Sequence, residues 1–209
     1  DDMDISMFDE DYKKMEKILV KMDDEDYFYQ CIKSDPEHVN VFGKFRKKND
    51  PVFEADQRSK YFKYQGVGLD VFSLEKSNRF AAHMAKFLYQ NLIHPTQYIK
   101  NRFWRHFAIK SVQLLNFGLL IPLCRLIGRI NHKGQYRYKL GSGFYQCGFS
   151  AEDILPLRTM EFEGIEFPVP GNTDAYLTKI YGDWRKLPSE EQIRKTMHYP
   201  LYIKEIFGE

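Results

Sequence analysis

Three aspartates carry most of the chemistry legible in this sequence. Asp2 and Asp4 stand two apart in the run Asp1-Asp2-Met3-Asp4-Ile5. On a strand, residues i and i+2 project from one face, so this run offers two carboxylates on one side and apolar Met3 and Ile5 on the other. Carboxylates held side by side repel each other unless a cation or solvent screens them. Mg2+ or Mn2+ accepts hard oxygen ligands of this kind. A lone D-x-D pair at a domain edge is commonly just solvated. Asp70 sharpens the reading, because it is the one carboxylate in the apolar run Val67-Gly68-Leu69-Asp70-Val71-Phe72. A buried, unpaired carboxylate is costly, so Asp70 is either paired or borders a site. Brought beside Asp2 and Asp4, it completes the shell of a divalent cation. Such a cation offsets charge during phosphoryl transfer, and a third carboxylate there can also take a proton from an acceptor hydroxyl.

Lys44 and Arg46 share a face of a candidate strand and could donate charge-assisted hydrogen bonds to donor phosphates. A solvated edge strand guarded by charges explains them equally well. Arg58 and Lys60 are weaker candidates. Cys31, Cys124 and Cys147 are odd in number and widely spaced, which suggests neither a disulfide framework nor a zinc site and points to a reducing, cytoplasmic compartment. Ser142 sits in Leu140-Gly141-Ser142-Gly143-Phe144, which is not a nucleophile elbow. With 31 basic and 29 acidic residues the net charge is only +2, so bulk charge gives no case for nucleic acid.

The elements that must position these residues follow from periodicity. The chain of 209 residues suits a single domain over 1–209. A short strand ends near Met7, and Asp9 is expected to cap a helix whose face is Tyr12, Met15, Ile18, Leu19 and Met22. Tyr27 to Ile32 and Val39 to Phe45 read as a hairpin, followed by a polar connection over 47–60. Val67 to Leu74 reads as a buried strand. From about 78 to 135 the period is helical, which makes a helical insertion. Phe80, Met84, Phe87, Leu88 and Leu92 form a stripe there, and Pro122 marks a kink or boundary. Leu114 to Ile127 is apolar but shorter than the roughly 20 residues a membrane span needs. It is therefore expected to be a buried helix, with a peripheral membrane helix as the alternative, helped by Arg125, Arg129 and Lys133. Tyr136 to Tyr145 suggests a loop or hairpin. Glu163-Gly164 marks a tight turn, and Asn172 to Tyr181 a helix capped by Asn172 or Thr173 and stopped by Gly182. The fold class is α+β, a small mixed sheet with flanking helices.

Three ordered motifs resemble the LicD family. Asp1-Asp2-Met3-Asp4-Ile5 with Asp11-Tyr12 is similar to its acidic motif. Gly68-Leu69-Asp70-Val71-Phe72-Ser73-Leu74-Glu75 is similar to its second motif, with Ser73 where Pro is usual and Glu75 where Asp is usual. Phe167-Pro168-Val169-Pro170, Tyr176-Leu177, Tyr181-Gly182-Asp183-Trp184 and Leu187-Pro188 resemble its end. The resemblance implies a nucleotidyltransferase-like fold. It also implies a Mg2+- or Mn2+-dependent transferase that moves a phospho-alcohol such as phosphocholine from a CDP-alcohol donor to a cell-surface glycan acceptor. Carried over by position, Asp2, Asp4 and Asp70 are metal ligands, Asp70 is also a candidate base, and Asp1 assists from behind. Asp183 joins Lys44 and Arg46 as a substrate-binding candidate, and His198 is a weaker one. The sequence is expected to begin after the family's Gly-rich donor-phosphate segment. Nucleotide transfer to a sugar or small molecule, and an inactive glycan-binding module, are the competing readings.

Overall fold

A computed structural model describes residues 3–51, 58–142 and 147–196. Asp1, Asp2 and His198 lie outside the described residues. The fold is α+β. A mixed sheet runs β1 (Asp4–Phe8), β4 (Gly66–Lys76), β3 (Gly43–Pro51), β2 (Tyr27–Gln30), and β5 (Tyr136–Tyr138) pairs with β4. β1 and β4 are parallel, and β2, β3 and β5 pair antiparallel to their neighbours. The crossover from β1 to β4 contains α1 (Asp9–Leu19) and the β2–β3 hairpin.

β4 is the central strand because its side chains serve both faces. Phe72 and Leu74 pack with Phe42, Tyr138, Phe149 and Ile154, and with half-buried Phe8. The opposite face carries Ser73, which donates to Asp9 Oδ1 at 2.9 Å, and Glu75, which accepts from Arg125 Nε at 2.8 Å and from the Leu140 amide at 2.8 Å. α1 lies on that face, with Tyr12 fully buried and its hydroxyl 3.2 Å from that of Tyr29. Gly43 permits this approach, since a Cβ there would sit 2.0 Å from the Tyr29 hydroxyl.

Several expectations need correcting. Asp9 is the first residue of α1 and not its cap; the flanking Phe8 makes no capping hydrogen bond. The Asp9 carboxylate turns instead to Lys13 and Ser73. Ile18, expected on the buried face of α1, is exposed. The strand expected over 39–45 starts at Gly43 and runs on to Pro51. Val39 and Phe42 are buried in the loop before it. Glu163 and Gly164 both have positive φ, 51° and 77°, and join β6 (Arg158–Phe162) to β7 (Ile165–Val169). Positive φ at both central residues is the hairpin turn whose twist matches its strands. α6 (Thr173–Tyr181) is capped by Asn172, which accepts from the Ala175 amide, and ends at Gly182 with φ 71°.

The larger correction concerns the helical insertion. α2 (Arg79–Leu88) is capped by Asn78 and buries Ala81, Ala82 and Ala85, while Phe80, Met84 and Phe87 are exposed. α3 (Arg102–Leu115), a π turn over Asn116–Leu120 and α4 (Ile121–Arg129) make one helix of 28 residues. Pro122 falls just after the π turn and breaks nothing, because the widened turn removes the need for its missing amide. The run 114–127, expected to be buried, is largely exposed: Leu114 is 77% accessible, and only Asn116, Ile121 and Cys124 within it are buried. The most apolar stretch of the helix is only 22% buried. By length and composition alone, the whole helix is long enough to cross a membrane, contrary to the expectation drawn from its middle.

The start of α3 is fastened by a buried ion pair. Arg105 Nη2 lies 3.0 Å from Glu37 Oε1, its guanidinium stacks 3.5 Å from the Tyr61 ring centroid, and Nη1 donates to the carbonyls of Ile99 and Lys100. Replacing one partner strands a buried charge. Arg105→Met is expected to lower unfolding free energy by roughly 3–5 kcal/mol in urea denaturation, and Glu37→Met in the same chain to recover much of it. A single-variant loss under about 1 kcal/mol would contradict the pairing.

His38, in the same loop, donates from Nε2 to the Phe42 carbonyl at 2.8 Å, and burial pulls its pKa from 6.5 down to about 4. The unfolded chain therefore takes up this proton at higher pH than the folded one. His38's stabilisation of the folded state is complete above pH 6.5 and is lost as pH falls toward 4. Unfolding free energy is expected to drop by roughly 2 kcal/mol between pH 7.5 and pH 5 in the native chain, and by clearly less in His38→Gln. Equal slopes in the two chains would remove His38 from the acid response.

Candidate functional site

Strand pairing assembles the candidate site. Asp4 is the register partner of Asp70 across the parallel β1–β4 pair, Lys44 faces Asp70 across β3–β4, and Gln30 faces Lys44 across β2–β3. Side chains opposite one another in a ladder share a face, and neighbouring strands lie about 4.8 Å apart. One row across four strands therefore reads Asp4, Asp70, Lys44, Gln30. Along β4 the same face continues into Phe72 and Leu74 of the core. Asp70 thus marks where this face changes from apolar to charged.

Lys44 Nζ lies 3.0 Å from Asp70 Oδ1, and the two side chains are 12% and 13% exposed. The Lys44 stem reaches Asp70 by lying over Gly68, where an added Cβ would sit 2.5 Å from Lys44 Cδ. Asp4, on the edge strand, is exposed. The row is therefore graded, from an accessible carboxylate through a paired, half-buried one to a fully buried amide. Gln30 ends it, donating to Asp35 Oδ2 at 2.7 Å and accepting from Arg46 Nε at 2.6 Å.

Next to this row stands a group of hydroxyls. Ser6 follows Asp4 on the same face of β1 and pairs with Phe72. Its hydroxyl stands near those of Tyr138 on β5 and Tyr176 on α6, which lie 3.2 Å from each other. Burial raises the pKa of both phenols, so they stay protonated and available as donors. The sequence reading missed Ser6. Its signal was the same two-residue period that singled out Asp2 and Asp4. Tyr138 gave no signal, because a short strand from beyond the insertion delivers it.

The remaining candidates fall in different places. Arg46 shares the face, opposite Gly68, but is 1% exposed. Its guanidinium is held by Gln30 and the Gly66 carbonyl and lies over the Phe62 ring. It shapes the floor beside Lys44. Arg58 is buried and donates to Thr96 Oγ1 at 3.0 Å. Lys60 lies over the Tyr61 ring. Asp183 is exposed in the turn after α6, its carbonyl accepting from the Lys186 amide. No described contact brings it to Asp70. Asp2, two residues before Asp4, lies outside the described residues.

The donor set in the row is all hard oxygen. The carboxylates of Asp4 and Asp70 are hard oxygen donors of the kind that suit Mg2+ or Mn2+. Among the described residues no group of three or more His, Cys, Asp or Glu is gathered to hold a metal. Of the three expected ligands the described residues bring Asp4 and Asp70 together across one strand pair, and Asp2 is a candidate third on sequence spacing alone. Comparison with protein-family models, with curated proteins and with solved structures gave no match.

A double-mutant cycle tests the centre of the row. Lys44→Met and Asp70→Asn, singly and together, are expected to give a coupling of about 1–2 kcal/mol in unfolding free energy. Strict additivity would mean that the pair contributes nothing to holding the two strands in register.

Proposed function

We propose that this chain is a divalent-metal-dependent transferase of nucleotidyltransferase-like fold, moving a phospho-alcohol from a CDP-linked donor to a glycan hydroxyl. The observation that carries the proposal is the register of β1 on β4, which sets Asp4 opposite Asp70 with Lys44 beside them. The LicD-like motifs supply the identity of donor and acceptor.

In this reading Asp2, Asp4 and Asp70 hold Mg2+ or Mn2+, which when bound neutralises charge on the diphosphate. Lys44, already at Asp70, is the cation nearest a donor phosphate oxygen bound at this row. The Tyr138 and Tyr176 hydroxyls, whose pKa burial raises, stand near Ser6, one row behind Asp4, as neutral donors to the acceptor or to a phosphate oxygen. The acceptor hydroxyl oxygen forms a bond to the phosphorus bearing the alcohol. The bond from that phosphorus to the CMP oxygen breaks, and CMP leaves with the electron pair. The hydroxyl proton passes to the Asp70 carboxylate, which the Lys44 ammonium holds in place.

Mn2+ is expected to raise the melting temperature of the full chain and to leave Asp4→Asn and Asp70→Asn unmoved. Lys44→Met is expected to bind Mn2+ more tightly, since its ammonium competes for Asp70, yet to bind CDP-choline more weakly. In turnover with CDP-choline and a glycan acceptor, Asp70→Asn is expected to lower kcat about a thousandfold with the fold intact. Release of pyrophosphate from a nucleoside triphosphate, with no CMP from CDP-choline, would move the protein to nucleotide transfer. Unchanged kcat in Asp70→Asn would end the catalytic assignment of this row.

A further inference from the structure

The structure leaves a long apolar face uncovered on the helical insertion. Along the 28-residue helix, Phe103, Phe107, Leu114, Leu119 and Leu123 are all exposed, as is Ile130 just past its end. Within the helix they recur at steps of four, seven, five and four. The single five-residue step spans the π turn Asn116–Leu120, whose wider turn takes up the extra residue. The π turn therefore keeps this outward stripe in line across Pro122. α2, packed on α4, adds exposed Phe80, Met84 and Phe87. Contiguous apolar surface on this scale is not left to water by ordinary soluble domains.

Charge identifies what covers it. From Lys76 to Ala151 the sequence holds twelve Lys and Arg and no Asp or Glu. The rest of the chain carries nineteen Lys and Arg against all 29 acidic residues. Exposed cations sit at both ends of the stripe, Lys100 and Arg102 at one and Arg129 and Lys133 at the other, and Lys110 lies between. Trp104 and the two phenylalanines cluster at one end. An apolar stripe edged by cations, with aromatics at the margin, has the chemistry of a helix seated in the headgroup layer of an anionic bilayer.

The helix is also fastened to the same globular body at both ends. Arg105 and Ile109 hold its start to Glu37 and to the Val39–Ile93 cluster. Arg125 holds its end to Glu75, and Ile121 and Cys124 pack on the alanines of α2. A helix pinned this way lies along a surface and does not thread through it.

We propose that α2 and the helix over 102–129 form a monotopic docking face that seats the protein on an anionic lipid surface, independently of the reaction at Asp70. The test uses the full chain and vesicles of phosphatidylcholine with one-third phosphatidylglycerol, against vesicles of phosphatidylcholine alone. Flotation with the anionic vesicles is expected, weakened by high salt. Trp104 fluorescence, read in a Trp184→Phe background, is expected to shift to the blue on binding. The double variant Leu114→Glu/Leu123→Glu changes only exposed positions and is expected to lose about tenfold or more in vesicle affinity while keeping its circular dichroism. Arg129→Gln/Lys133→Gln is expected to weaken binding to anionic vesicles alone, which keeps the test decisive should the glutamate variant misfold. No flotation with either vesicle overturns the proposal. So does a lipid-free dimer, seen by light scattering, that Leu114→Glu/Leu123→Glu converts to monomer, because a second copy then covers the face.

Discussion

Everything at the polar end of the sheet depends on the parallel pairing of β1 with β4. That ladder sets two carboxylates, Asp4 and Asp70, one strand apart on the same face, an arrangement that electrostatics alone disfavours. It is held by what lies further along the same two strands. Phe8, Phe72 and Leu74 pack into the core with Tyr138 and Phe149, and a slip of one residue would turn all of them outward. The apolar register fixes the acidic one. Lys44 then offsets part of the negative charge from the neighbouring strand, and the glycine beneath its stem gives it room to do so.

This division of labour explains which parts of the site were legible in the sequence. Asp70 stood out because a carboxylate in an apolar strand contradicts its surroundings. Asp4 stood out through its two-residue spacing from Asp2. Both features are local. Lys44 was visible only as one of two basic residues sharing a strand face, and nothing local separated it from Arg46. The strand register separates them: Lys44 meets a carboxylate, while Arg46 falls opposite Gly68 and turns to Gln30 and a carbonyl. The Ser6, Tyr138 and Tyr176 hydroxyls come from three elements far apart in sequence, and only tertiary packing joins them.

The fold was legible where backbone chemistry is decisive. Glu163-Gly164 needs positive φ, Asn172 offers a cap, and Gly182 ends a helix, and each was readable as such. Hydrophobic pattern misled where small residues do the packing. In α2 the large residues suggested the core face, but Ala81, Ala82 and Ala85 face inward, and Gly128 of α4 comes close to Ala81 and Ser77. Small side chains let helices approach closely, which sends the bulky stripe outward. The same error of weighting large apolar residues placed a strand over Val39 to Phe42. Those residues fill the core from a loop, and the strand itself begins with Gly43, Lys44 and Arg46.

β4 links the two halves of the molecule. Asp70 and Glu75 lie five residues apart on it, about 17 Å at strand rise, and point to opposite faces. Asp70 belongs to the charged row; Glu75 grips Arg125 on the long helix with a half-buried pair and also accepts from the Leu140 amide. Because a strand in the middle of a sheet does not stretch or bend easily, the separation between the row and the helical layer is fixed by covalent geometry. A lipid surface seated on that layer would hold the row at a constant height, and an acceptor attached to the same surface would meet Asp4 and Asp70 in a narrow range of orientations. The acidic part of the chain and the acid-free insertion then have complementary consequences. Under the proposed function the first would gather a cation and the phosphates it binds, and under the proposed docking the second would be drawn to anionic headgroups, with Glu75 and Arg125 as the joint between them.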